Sequence, residues 1–286
     1  MGTQSPVIMG ILNLTPDSFS DGGQFDSVQS AVQAATAMVA HGAQIIDVGG
    51  ESTRPGAERI SLEVELERVI PVIEQLSSKG IYVSIDTMRA EVAKAAVDAG
   101  AQMVNDVSGG LSDPHMLATV ARLGVPIVLM HWRGPSKTMQ ENIHYVNALT
   151  EVCAELHSVA KAAQLAGIER GNIILDPGIG FGKEAVHNWK LLHNVDTLLA
   201  LGYPILIGVS RKRFLGGLLA SSDGTPRTVR ERDTASAVLG AHILQRGAWG
   251  VRVHDVQATI DAYRALGAVN PDPALDSIEL MGLREF

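Results

Sequence analysis

The sequence predicts a single α/β domain folded as a (β/α)8 barrel, the TIM barrel architecture. Short β-rich runs alternate with longer helical patterns about eight times. No linker rich in Pro, Gly or Ser and no shift in composition divides the 286 residues. A strand followed by a helix, repeated eight times over about 250 residues, is typical of a closed barrel. An open, doubly wound sheet is the alternative that this pattern leaves.

The strands are predicted where runs of β-branched and other apolar residues end in polar residues. These runs cover residues 7–14, 45–50, 81–87, 103–109, 127–132, 173–178, 204–210 and 250–256. Between them lie Ala- and Leu-rich stretches with helix formers at helical spacing, often ending at Gly, and each has room for one crossover helix. The barrel domain is therefore predicted over residues 1–268, followed by a tail, 269–286, without evident chemistry.

Composition restricts the class of protein. Hydrophobic residues make up 46% of the chain, enough for a sizeable core, and the formal net charge is -8. Binding to nucleic acid or to an anionic membrane is not expected, because both require a concentrated positive surface. The single cysteine, Cys153, rules out an internal disulfide, and neither a signal sequence nor a membrane-length apolar run is evident. A cytoplasmic protein is predicted.

Polar side chains follow the predicted strands at the point where each strand ends. They are Asn13, Asp47, Asp86, Asn105, Asp106, His131, Asp176, Ser210, Lys212, Arg252 and His254. The catalytic groups of a (β/α)8 barrel lie at the carboxyl ends of its strands, where the βα loops form the active face. One polar strand end can be no more than the start of a solvated loop. Polar residues at the end of every predicted strand indicate a site.

The last two strands carry basic residues. Arg252 and His254 share one face of their strand, because alternate side chains point the same way. Ser210 and Lys212 share a face in the same manner. If these faces line the mouth of the barrel, Lys212, Arg252 and His254 meet in the region where this fold commonly binds phosphate. In an acidic protein, such a group of cations predicts a phosphorylated substrate.

The opposite side of the predicted mouth carries hydrogen-bond acceptors. Asp86, Asn105 and Asp176 end three different strands. Carboxylates that accept two N–H bonds in one plane suit a heterocycle with an amidine or guanidine edge, such as a pterin or guanine. A metal site is the competing interpretation, since carboxylate and amide oxygens ligate hard cations. Both can hold together, with Mg2+ bridging a diphosphate near Asn13.

Seven segments stand in order along the chain: MGILNLTPDSFSDGG, DVGGESTRPGA, VSIDTMRAEVA, VNDVSGG, ILDPGIGFGK, GVSRKRFLG and VRVHDV. Together they resemble the dihydropteroate synthase family of folate biosynthesis, and the first two and the last are highly specific. The resemblance implies a transferase that condenses 6-hydroxymethyl-7,8-dihydropterin diphosphate with 4-aminobenzoate, giving 7,8-dihydropteroate and diphosphate. It also implies Mg2+ as cofactor, a homodimer and inhibition by sulfonamides.

The resemblance further implies roles for individual residues. The pterin would be held by Asp86, Asn105, Met130, Asp176, Phe181 and Lys212. The diphosphate would be bound by Asn13, Thr53, Arg252 and His254, with the Mg2+ at Asn13. The aminobenzoate pocket would be formed by Phe19, Thr53, Arg54, Pro55 and Ser210. The catalytic residues would be Lys212, Asp86, Asp176 and Asn13. In the implied chemistry diphosphate leaves first, and the amine then attacks a delocalised pterin cation.

Two other functions are compatible with this interpretation of the fold. A corrinoid-linked methyltransferase domain that binds methyltetrahydrofolate should lack the segment TPDSFSDGG and the terminal RVHD, and both are present. A noncatalytic pterin-binding paralogue keeps the fold but loses condensation activity. Its mark would be a change at Asn13, Lys212, Arg252 or His254, all of which are intact.

The chain departs from the family pattern outside the predicted site. Trp132 and Arg133 follow the Met-His pair where many members have other residues, and Asp233 stands where Gly is frequent. These positions are expected to affect loop packing and the dimer contact.

Overall fold

Strands and helices alternate in the computed structural model, which describes residues 6–15, 24–52, 56–135 and 143–269. The strands are β1 Val7–Asn13, β2 Ile45–Gly49, β3 Val83–Asp86, β4 Met103–Asp106, β5 Ile127–Met130, β6 Ile173–Asp176, β7 Leu206–Ile207 and β8 Gly250–Val253. The helices are α1 Gln24–Ala40, α2 Leu62–Ser78, α3 Ala90–Asp98, α4 Met116–Leu123, α5 Ala148–Leu165, α6 Ala185–His193, α7 Val195–Leu199, α8 Arg213–Leu218, α9 Asp233–Gln245 and α10 Val256–Val269. One or two helices follow every strand.

The eight strands close into a barrel. They are parallel and lie in the order β6-β5-β4-β3-β2-β1-β8-β7. A further parallel bridge joins Leu175 of β6 to Ile205, which precedes β7. Because this bridge connects the two ends of the sheet, the predicted (β/α)8 barrel is confirmed and the open, doubly wound alternative is excluded. The predicted domain boundary at residue 268 stays a prediction, since the tail beyond Val269 lies outside the described residues.

All eight predicted strands are present, but the sheet ends earlier than predicted. The run 103–109, for example, contributes only β4, Met103–Asp106. Turn hydrogen bonds replace strand pairing after that point, because the Asp106 carboxylate accepts from the backbone N–H groups of Ser108 and Gly110 at 2.8 and 2.7 Å. The residues that follow the strands therefore belong to the βα loops above the sheet.

The inside of the barrel is apolar at the amino-terminal end of the strands. Six buried side chains from six strands form this layer, here called the floor: Met9, Ile45, Met103, Val128, Ile174 and Leu206. Burying one such side chain contributes about 1.5–3 kcal/mol. On β2, β4 and β6 the next inward side chain is polar, namely Asp47, Asn105 and Asp176, and this carboxyl end of the barrel is called the mouth.

Helix α2 illustrates how the outer layer covers the barrel. The Ser61 side chain caps this helix by accepting from the Val64 N–H at 3.3 Å. Val69, Ile73 and Leu76 recur at helical spacing and are fully buried in the main core. In the described part of the chain, the helices are too short or too polar to cross a membrane.

Candidate active site

A charged cluster centred on Arg252 occupies the mouth. The Arg252 guanidinium donates from Nε to Asp47 Oδ2 at 2.6 Å and from Nη2 to Asp86 Oδ2 at 2.7 Å. Asn105 Nδ2 donates to the same Asp47 oxygen at 2.9 Å. These side chains come from β2, β3, β4 and β8, and they meet because inward positions recur every second residue on each strand. The structure thus brings three predicted site residues together around Asp47.

Burial and charge perturb the protonation of this cluster. Burial raises the pKa of the Asp86 carboxyl to about 7, although the charge of Arg252 opposes the rise and Asp47 adds to it. Burial also acts to lower the pKa of Arg252, but the nearby carboxylates outweigh it and the pKa is raised. The guanidinium therefore stays charged, while Asp86 changes its charge near neutral pH.

Asp176 and Lys212 place a second set of opposite charges in the mouth, close enough for each to affect the pKa of the other. Asp176 Oδ1 accepts from the Gly178 N–H at 2.7 Å. Burial raises the pKa of Asp176, opposed by this hydrogen bond and by the charge of Lys212. Burial lowers the pKa of Lys212 to about 8, and Asp176 opposes that shift. Two oppositely charged groups that are both poorly solvated are suited to bind the polar edge of a flat ligand.

An apolar slot adjoins these polar groups. Met88, Val107 and Met130 are buried together, and Phe181 packs on them. Lys212 Nζ lies 4.0 Å from the centroid of the Phe181 ring, within the range of a cation–π contact. Met130 and Phe181 are among the predicted pterin residues, whereas Met88 and Val107 are not. The signal was available, because these two residues stand two positions after Asp86 and Asn105 and continue the inward alternation.

Ser210 and His254 join the ends of the last two strands. Ser210 Oγ lies 3.0 Å from His254 Nδ1 and accepts from the His254 N–H at 3.2 Å. Ser210 and His254 thus meet at the ends of the last two strands. Arg252 donates to Asp47 and Asp86, and its charge also acts on Lys212. The predicted meeting of Arg252 with His254 stays a prediction.

The turn between Ser210 and Lys212 is held in an unusual conformation. Arg211 has φ of 60°, and among the described residues it is the one non-glycine with positive φ. Its guanidinium forms a bidentate pair with Asp233, at 2.6 and 2.9 Å. Its N–H donates to Ser236 Oγ at 3.0 Å. Asp233, which departs from the family pattern, therefore helps to fix the turn that carries two predicted site residues.

A buried amine stabilises the loop that follows β6. Lys183 is 4% exposed, and its Nζ contacts the carbonyl oxygens of Gly178 and Phe181 at 3.0 Å and His131 Nδ1 at 2.9 Å. Burial lowers the pKa of Lys183 to about 7. Burial, followed by the charge of Lys183, lowers the pKa of His131 to about 4. His131 is thus neutral and donates from Nε2 to Glu155 at 2.8 Å, supporting the loop from behind.

The loop after β2 starts from a network of ion pairs. Glu51 accepts from Arg89 at 2.8 Å and from Arg59 at 3.2 Å, and Arg68 donates to the Gly50 carbonyl at 2.9 Å. This network fixes the backbone just before the predicted aminobenzoate residues. Four predicted residues, Phe19, Thr53, Arg54 and Pro55, lie outside the described residues.

The space around Asn13 contains oxygen atoms of the kind that ligate a hard cation. A Cβ on Gly49 would lie 3.7 Å from Asn13 Oδ1 and 3.5 Å from Asp86 Oδ2, so this glycine leaves room between two oxygen donors. In the described ranges no group of three or more His, Cys, Asp or Glu could hold a metal alone. Mg2+ is usually bound by one or two protein oxygens together with substrate phosphates. The residues therefore fit a cation that arrives with a diphosphate.

The sequence matches the family described as pterin binding enzyme over residues 9–254. The dihydropteroate synthase of Mycobacterium leprae is 50% identical over 277 residues, which cover 96% of this chain and 98% of that protein.

Solved structures give the same result. Two structures of Xanthomonas albilineans dihydropteroate synthase, with 4-aminobenzoic acid and with 7,8-dihydropteroate, are 44% and 41% identical, with TM-scores of 0.85 and 0.82. The match to the 4-aminobenzoic acid structure covers 94% of this chain and 94% of the solved chain. The match to the 7,8-dihydropteroate structure covers 96% of this chain and 97% of the solved chain. The Yersinia pestis enzyme in a sulfonamide drug complex is 39% identical over 94% of this chain and 95% of its own, with a TM-score of 0.85. The chain therefore belongs to the pterin-binding enzymes and, among them, to the dihydropteroate synthases.

Proposed function

We propose that the mouth of the barrel condenses 6-hydroxymethyl-7,8-dihydropterin diphosphate with 4-aminobenzoate in folate biosynthesis, as the family membership implies. The observation that carries the proposal is the apolar slot bordered by Lys212, whose Nζ lies over the Phe181 ring, with Asp176 and Arg252 in the same mouth. The reaction breaks the C–O bond to the diphosphate and forms a C–N bond to the aminobenzoate amine. That amine releases one proton, and the products are 7,8-dihydropteroate and diphosphate.

The pterin ring would lie in the apolar slot, with Phe181 and Met130 against its faces. The Asp176 carboxylate would accept from the amidine edge of the ring, and Lys212 would donate to a ring acceptor. Asn105 would add a further polar contact. Asp176 and Asn105 are buried, so a ligand without the matching polar atoms would leave these groups unpaired and bind weakly.

Departure of the diphosphate creates charge of both signs, and the mouth contains groups of both signs. The guanidinium of Arg252, together with His254 and Asn13, would stabilise the negative charge on the leaving group. The carboxylate of Asp86 would stabilise the delocalised pterin cation. Because a cation is a strong electrophile, the weakly basic amine of aminobenzoate can attack it without a dedicated general base.

We further propose Mg2+ as the cofactor. Asn13 Oδ1 would hold the ion beside Gly49, and the diphosphate oxygens of the substrate would complete its coordination. When bound, Mg2+ neutralises charge on the diphosphate and makes it a better leaving group.

The aminobenzoate pocket is proposed from the resemblance, with Phe19, Thr53, Arg54, Pro55 and Ser210 around the ring. Ser210 would receive the carboxylate from its place at the start of the turn before α8. Sulfonamides are proposed to compete for the same pocket, and the Yersinia pestis relative bound to a sulfonamide drug supports this.

We also propose a homodimer, which the resemblance implies, and a cytoplasmic location, which the sequence predicts. Three exposed apolar side chains on adjacent segments, Leu218, Val229 and Val238, support an association surface. Light scattering should give twice the chain mass, and Val238→Glu should shift the protein toward monomer. A monomeric wild-type protein would contradict the dimer.

The function is tested by direct turnover. We expect purified protein, given both substrates and Mg2+, to form dihydropteroate, and Arg252→Ala to lower kcat/KM by about 100-fold or more because a donor to the leaving group is lost. Omission of Mg2+ should lower the rate as well. No product, together with tight pterin binding by calorimetry, would refute the synthase and indicate the noncatalytic paralogue.

A further inference from the structure

Asp47 is the most buried charged group of the mouth, and the predicted roles leave it out. Its side chain is 0% exposed. Oδ2 accepts from Arg252 Nε at 2.6 Å and from Asn105 Nδ2 at 2.9 Å. Oδ1 is buried without a hydrogen-bond partner among the described residues. A buried carboxylate with one unpaired oxygen is costly to the fold, so its presence calls for an explanation in the site.

The contact with Asp47 fixes which end of the Asn105 amide faces the mouth. An ionised carboxylate only accepts hydrogen bonds, so the Asn105 nitrogen must point toward Asp47. The Asn105 oxygen then points away from Asp47 and is available to accept from a ligand. A ring N–H can be recognised by this oxygen, whereas the opposite amide orientation would present donors.

The contact with Asp47 also fixes the direction of the Arg252 guanidinium. Asp47 binds Nε and Asp86 binds Nη2, which leaves Nη1 outside both bonds. A planar guanidinium held at two nitrogens has little freedom to rotate. Asp47 therefore controls the orientation of one donor and one acceptor side chain at the same time.

We propose that Asp47 is a positioning residue for substrate binding, acting through Asn105 on the pterin and through Arg252 on the diphosphate. This inference rests on the proposed function, because it assumes that these two residues contact the pterin diphosphate. Asp47 itself is fully buried behind these two residues, so in this proposal it would touch neither the aminobenzoate nor the reacting atoms. Its loss should therefore affect one substrate far more than the other.

Ser84 supplies a matched control. It is the cross-strand partner of Asp47, is also 0% exposed, and its Oγ likewise has no hydrogen-bond partner in the described part of the chain. It makes no side-chain hydrogen bond to Asn105 or Arg252. Ser84→Ala thus disturbs the same buried layer without disturbing either orientation.

The experiment compares Asp47→Asn, which conserves shape, with Ser84→Ala. We expect Asp47→Asn to raise the KM for pterin diphosphate about tenfold and to change the KM for aminobenzoate by less than about twofold. Ser84→Ala should change both constants by less than about twofold. In Asn105→Ala protein, adding Asp47→Asn should weaken pterin binding, measured by calorimetry, less than it does alone, because the two changes share one contact.

An unchanged KM for pterin diphosphate in Asp47→Asn, or equal losses in Asp47→Asn and Ser84→Ala, would overturn the inference. If the losses of pterin affinity in Asp47→Asn and Asn105→Ala simply add in the double variant, Asp47 does not act through the Asn105 amide. If Asp47→Asn does not fold, as judged by thermal melting, Asp47→Ser is the second variant and carries the same expectations. A wild-type protein without turnover would instead contradict the proposed function, so the two failures are distinguishable.

Discussion

The floor and the mouth of the barrel are formed by the same strands, yet their chemistry is opposite. On β2 the floor residue Ile45 is followed two positions later by Asp47, and on β6 Ile174 is followed by Asp176. Both members of each pair point into the barrel, because side chains alternate along a strand. Two residues, about 7 Å along the strand, separate a hydrocarbon layer from a charged one.

Similar burial has different consequences in the two layers. Ile174 is 4% exposed and Asp176 is 7% exposed. At the floor, removal from water stabilises the folded chain. At the mouth, it raises the free energy of ionised carboxylates, which raises the pKa of Asp86 and Asp176. The floor therefore stabilises the fold, whereas the mouth serves activity. The buried carboxylates of the mouth lower the stability of the folded chain.

The largest effect is expected at the mouth. Asp176→Asn should lower kcat/KM by about 100-fold or more, because an amide cannot replace a carboxylate that accepts two N–H bonds. Its melting temperature should not fall. Since burial raises the pKa of Asp176 above its unfolded value, the ionised group opposes folding at neutral pH, and a neutral amide removes that cost. Steady-state kinetics and thermal melting test this, and a loss of stability without loss of activity would contradict it.

The matched change at the floor, two residues earlier on the same strand, should behave in the opposite way. Ile174→Ala should lower the free energy of unfolding by about 2–5 kcal/mol, because a cavity opens in a packed layer. Activity per folded molecule should stay within about threefold of the wild type. Urea unfolding and kinetics at low temperature measure the two quantities. A selective loss of activity in Ile174→Ala would remove the distinction between the layers.

The pH dependence of kcat/KM should give the smallest effect, about tenfold per pH unit outside the optimum. Activity should rise as Asp86 ionises, with its pKa near 7, and fall as Lys212 loses its proton, with its pKa near 8. The acid and alkaline limbs of the pH profile report apparent pKa values of the coupled cluster as a whole. In Lys212→Arg any remaining activity should lack the alkaline limb, because a guanidinium stays charged. A profile that stays flat through this region would contradict these assignments.

Most of the polar layer could be predicted from the sequence because it depends on local order. Asp86, Asn105 and Asp176 each end an apolar run, and alternation along the strand places them inward. Asp47 ends a run in the same way, but no local signal shows that it contacts both Asn105 and Arg252. The support of the β6 loop by Lys183 was also missed, since a lysine in a Gly-rich segment normally indicates a solvated side chain.

The sequence by itself determined the presence of the eight strands, the polar residues at their ends and the family. The tertiary structure decided which charges meet. Arg252 pairs with Asp47 and Asp86, which are 205 and 166 residues away in the chain. It reaches them because closure of the barrel places β8 beside β1 and turns its inward face toward β2 and β3. Side-chain alternation is a local property of the backbone, whereas the partner of a buried charge depends on closure of the whole sheet.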